Sequence, residues 1–203
     1  MKNTKELFIR IFGICSIIAP LLMLAADLLQ IGGLRFEFTI VLWLAFVFFV
    51  PAILGLTYLV ASYGSRLVIL GGALAYFGAM AGASMQVLFR VWAILEEKGS
   101  PQTIELLQGS TKLIATTQMI GIAFPIGLLI LAICLLRKRI VSPLVALVFA
   151  AGAILFPVGR IAGFWWAFIS SDILLIIAFG LIGWRLFSAG IDSFEREKIS
   201  ASS

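Results

Sequence analysis

Six stretches of about 20 or more mainly apolar residues run through this chain, at approximately 8–31, 38–62, 67–95, 113–136, 141–160 and 164–187. A helix rising about 1.5 Å per residue needs roughly that length to cross the hydrocarbon core of a bilayer. A soluble domain of 203 residues has too little interior to hide six such runs. The composition agrees: 62% of the residues are hydrophobic and 12% charged, against about half and a quarter in soluble domains. Mean hydropathy is +1.15. The runs lack the alternation of barrel strands, so the backbone polar groups must be satisfied inside helices. The expected fold is all-α: a polytopic bundle of six transmembrane helices forming a single integral membrane domain over residues 1–203. Residues 188–203 are expected to be a polar tail that frays after a short helical extension.

Lys2, Lys5 and Arg10 precede the first run as they would in a signal peptide. Its apolar core continues past Pro20 to Leu29 without a convincing small-residue cleavage site, so it reads as the first helix. Most connections are short. The stretch from Glu96 to Lys112 is the exception: Ser100 and Pro101 are suited to start a short interfacial helix carrying Ile104, Leu106 and Leu107, with a solvated loop as the alternative.

Positive charge near the ends of short loops resists translocation. Lys2, Lys5, Arg10, Arg66, Arg137, Lys138, Arg139, Arg185, Arg196 and Lys198 all fall toward one side, whereas Arg35, Lys98 and Lys112 fall toward the other. Both termini are therefore expected in the cytoplasm, and a bacterial inner membrane is the expected location. The net charge of +5 then reflects topogenic charge and attraction to anionic headgroups, with no nucleic-acid role.

That orientation places Asp27, Arg90, Arg160 and Asp172 in one layer toward the outer face, joined by Gln86, Gln118, Ser170 and Ser171. A carboxylate deep in hydrocarbon costs about 2.5–3.5 kcal/mol or more, so Asp172 should face water or a partner. Arginine grips a carboxylate well because its donors form a fork. An unpaired Asp172 would favour the neutral acid and become a candidate proton carrier. The layer reads as an outward-facing polar cavity among helices one, three, five and six, with Trp165 on the same side of helix six as Asp172. A purely structural origin also accounts for Asp27, Arg90 and Arg160, since long side chains near helix ends snorkel to the headgroups.

On helix three, Gly78, Gly82, Gln86 and Arg90 recur every four residues and form one stripe. Small residues at this spacing let backbones approach, making the helix either a packing post or one wall of a slot leading to Arg90. Pro20, Pro51 and Pro125 fall inside helices and predict kinks, while Pro143 suits a first turn. Similar proline-bearing segments (GICSIIAP with GIAFP, AFVFFVPAIL with ALVFAAGAILFP) suggest an inverted 3+3 repeat, as in several transporter folds. Trp43, Trp92, Trp165, Trp166, Trp184 and Tyr63 fit interfacial belts.

The chain has no His, which excludes His-dependent nucleophilic catalysis and most zinc and haem sites. No phosphate-cradling glycine loop is present. Cys15 and Cys134 read as buried small hydrophobes. No cofactor or metal is expected, and no segment carries a family signature. The leading expectation is a small transporter or carrier binding a solute or lipid headgroup at Asp27, Arg90, Arg160 and Asp172. A second is a non-enzymatic assembly or sensory subunit that meets a partner protein or another copy of itself through the small-residue face of helix three or the tail DSFEREK. A third is an enzyme modifying lipid headgroups, although these carboxylates offer few oxygen ligands for a metal.

Overall fold

The computed structural model describes residues 2–99, 102, 103, 105, 109, 110 and 120–200. Six helices are found among them: α1 (Lys2–Ile31), α2 (Arg35–Ala61), α3 (Leu67–Glu97), α4 (Ala123–Arg137), α5 (Pro143–Ala162) and α6 (Trp165–Ser200). Five are long and apolar enough to cross a membrane; α4, with 15 residues in Ala123–Arg137, is shorter. Of the expected interfacial helix at Ser100–Leu107 only residues 102, 103 and 105 are described, and these are helical; residues 113–119 of the expected helix four, Gln118 included, lie outside the described residues.

The boundaries follow local chemistry. Gly33 and Gly64 adopt positive φ after α1 and α2, where a left-handed residue ends a helix at little steric cost. Ser142 accepts a hydrogen bond from the Val145 N–H, and Pro143 occupies the first turn of α5. The tail departs from expectation: α6 continues through Ser200 because Ala, Glu, Arg and Lys there are good helix formers.

Short connections make most sequential neighbours antiparallel, and α6 returns to pack on α1. The helices therefore form a ring in chain order, with α2 also touching α4. Small residues set the closest approaches. Gly78 faces the backbone of Phe124, and Gly71 faces Ile130; lower numbers on α3 meet higher numbers on α4, so the pair is antiparallel. Gly13 of α1 and Gly183 of α6 close the ring, a Cβ on either lying 2.6 Å from the other's carbonyl oxygen.

The inside of the ring is filled with aromatic side chains. Phe124 lies 5.2 Å from Phe49 and 5.1 Å from Phe156, and Phe179 lies 5.4 Å from Phe49 and 4.9 Å from Phe149. Tilted and edge contacts at such separations suit the ring quadrupoles. Outside, Leu144, Ile69 and Phe77 stand 71%, 65% and 60% exposed, a distribution that fits a solvent of lipid. Trp166 and Trp184, both exposed on α6, are eighteen residues apart, about 27 Å at about 1.5 Å per residue, close to the roughly 30 Å hydrocarbon core.

Candidate functional site

Three of the four charged residues in the expected layer come together. Arg160 Nη2 donates to Asp27 Oδ2 at 2.6 Å and lies 3.7 Å from Asp172 Oδ1. Both aspartates are fully buried, and the Arg160 side chain is 18% exposed. Residues from α1, α5 and α6, consecutive around the ring, thus meet near one end of the bundle.

Helix direction explains the convergence. Cα–Cβ bonds tilt toward a helix N-terminus, so Asp27 and Arg160, near the C-terminal ends of α1 and α5, aim into the bundle. Asp172 lies seven residues after Trp165, about 10 Å along α6, and its Cβ tilts back toward the other two. Arg160 therefore reaches inward to the carboxylates, where the snorkelling reading had it turning to the headgroups. Gly159 allows this by admitting the backbone of Phe168 from α6, where a Cβ would overlap it.

The cluster holds one guanidinium for two carboxylates. Asp27 Oδ1, both oxygens of Asp172 and Arg160 Nε are buried without a hydrogen-bond partner among the described residues. The grip is a single nitrogen shared between two acids, not the two-point fork expected from sequence. Beneath it the guanidinium stacks over Phe156, 4.9 Å from the ring centroid, a favourable cation–π contact. Phe156 was not among the residues singled out from sequence, but its position four before Arg160 put it on the same helical face.

Ser171, beside Asp172, donates to the carbonyl of Gly152 at 2.9 Å in a buried bond that ties α6 to α5. Such interhelical bonds in membranes average about 0.6 kcal/mol. Ser171→Ala is therefore expected to lower stability by roughly that amount, measured by unfolding in detergent.

The remaining expected residues lie elsewhere. Arg90 donates from Nη1 to the Phe36 carbonyl at 3.4 Å and sits 5.0 Å from the centre of the Phe36 ring. Its helix packs between α2 and α4, which directs it away from the α1–α5–α6 cluster. Gln86 is buried on α3 with Oε1 unpartnered among the described residues. Trp165 is 64% exposed and faces outward instead of lining the cluster. Gly78 and Gly82 do not border an open slot, because the Phe124 backbone covers the first and the Phe46 ring the second. The small-residue stripe is an internal packing surface. Among the described residues Asp27 and Asp172 are fully buried, with Arg160 closing over them.

No protein-family model, curated protein or solved structure matches this chain. Five helices long and apolar enough to cross a membrane are compatible with a membrane protein.

Proposed function

We propose that this chain is a small membrane carrier whose binding site is the Asp27–Arg160–Asp172 cluster and whose cargo or coupling species is a cation. The observation that supports it is the charge imbalance: two fully buried carboxyl groups share one guanidinium, and among the described residues three of their oxygens have no protein hydrogen-bond donor within bonding geometry. Buried charge is costly unless matched. A proton, an ammonium group or a small metal cation entering the cluster supplies the missing positive charge. Its arrival weakens the hold of Arg160 on at least one carboxylate and so loosens the contacts among α1, α5 and α6. In this reading the basic end, with both termini, faces the cytoplasm by the positive-inside rule, and the cluster lies in the outer half of the membrane. The sealed arrangement is the occluded state of the carrier. A partner docking on the small-residue face of helix three is disfavoured, since Phe124 and Phe46 already occupy that face.

The test is charge movement in proteoliposomes on a solid-supported membrane, challenged in turn with jumps in pH, sodium, potassium, ammonium and methylguanidinium. At least one jump is expected to give a transient current in the wild type. Asp172→Asn should abolish it while leaving a monodisperse, folded protein. Silence of the wild type to every cation, or an undiminished current in Asp172→Asn, overturns the reading.

A further inference from the structure

A second feature at the opposite end of the bundle is independent of the carrier reading and rests only on the membrane architecture. Between the α2–α3 connection and the C-terminal end of α4 lies a recess of about 500 Å³, lined by Gly64, Ser65, Arg66, Leu67, Ile130, Ile133, Cys134, Arg137 and Lys138. Its size falls within the range of ligand pockets, about 300–1,000 Å³. We propose that it is a docking site for one anionic phospholipid, with Arg66, Arg137 and Lys138 holding the phosphate of the headgroup and Leu67, Ile130 and Ile133 receiving the start of an acyl chain.

Four observations carry this. Arg66, Arg137 and Lys138 are exposed and come from two segments far apart in sequence, yet they border one concavity with no carboxylate in its lining. None of the three has an ion-pair partner among the described residues. The apolar side of the lining is exposed too, Leu67 at 52% and Ile133 at 40%, so it continues into the lipid-facing surface. The three cations belong to the sequence positions expected at the membrane surface, the depth of a phosphate and glycerol, where basic pockets between helices bind anionic headgroups. A free phosphate uses the cations but leaves the apolar wall unoccupied; a diacyl lipid uses both. Ser65 adds a hydroxyl, which lies 3.6 Å from the Cys134 sulfur across the floor of the recess.

The test is native mass spectrometry of the full chain released from nanodiscs containing phosphatidylglycerol and phosphatidylcholine, with thermal unfolding at increasing phosphatidylglycerol as a second readout. Wild type is expected to retain one phosphatidylglycerol in preference to phosphatidylcholine and to unfold at higher temperature as that lipid is added. The triple variant Arg66→Gln, Arg137→Gln, Lys138→Gln should bind it at least tenfold more weakly, in line with the contribution of each basic residue near an anionic surface. Ile133→Trp, which keeps the charges and fills the apolar wall, should also reduce retention. Arg139→Gln, which removes a charge adjacent in sequence but outside the lining, should leave it unchanged. Equal retention of the two lipids, full retention by the triple variant, an equal loss with Arg139→Gln, or displacement by inorganic phosphate would overturn the proposal. All these positions are exposed, so each variant is expected to fold, and a monodisperse gel-filtration profile verifies it.

Discussion

Arg160→Met should cost the folded protein about 3–5 kcal/mol, the usual penalty for removing one partner of a buried ion pair. The reason is the geometry around Nη2, which is the nearest positive group to both Asp27 and Asp172. Without it, two buried carboxylates, one about a turn from the end of α1 and the other about two turns into α6, face each other with no compensating charge. The same substitution in an Asp27→Asn, Asp172→Asn background should cost far less, because replacing all the members of a buried charged group together is often close to neutral. Unfolding in detergent by heat or denaturant checks both statements. A single Arg160→Met variant as stable as wild type would show that the acids do not depend on the guanidinium. The comparison also separates stability from function: the triple variant is expected to fold and to show no cation-dependent current.

The second large effect lies in the seam between α3 and α4. Gly78→Ala is expected to destabilise by at least about 3 kcal/mol, at the upper end of overpacking penalties. The added methyl would overlap backbone atoms of Phe124, and backbone cannot rotate out of the way as a side chain can. Gly180→Ala is the matched control. A Cβ there meets nothing within 4 Å, so that substitution should be neutral or stabilise by up to about 1 kcal/mol through helix propensity. If the two variants unfolded at the same temperature, the close α3–α4 contact would not be the source of the seam's stability.

Much of the architecture was legible before any coordinates. Hydrophobic length sets how far a helix must run, so the spans at Phe36–Ala61 and Leu67–Glu97 fall close to the expected 38–62 and 67–95. Asp27, Arg160 and Asp172 were recognisable because ionisable groups inside apolar runs are rare and costly. The membership of the cluster was harder to read. Arg90 is at a similar distance from its helix end, but a charged layer says nothing about the order of helices around the ring, and α3 turned out to pack between α2 and α4. Four-residue spacing likewise revealed that Gly78 and Gly82 share a face without saying what covers it. Phe124 and Phe46 became identifiable only once the register between helices was known. Trp165 shows a related limit: helical phase relative to Asp172 held, but lateral direction depends on where the neighbouring helices end.

The phenylalanines that occupy the middle of the ring bear on the rate at which this protein can work. Phe49, Phe124, Phe156, Phe149 and Phe179 are linked by an unbroken series of ring contacts, which fills the space between their helices. On the carrier reading proposed above, a cation released from Arg160 and its acids would advance only as these rings and their helices shift. Collective motions of that kind take microseconds to milliseconds, so a carrier of the proposed kind would work in discrete turnovers.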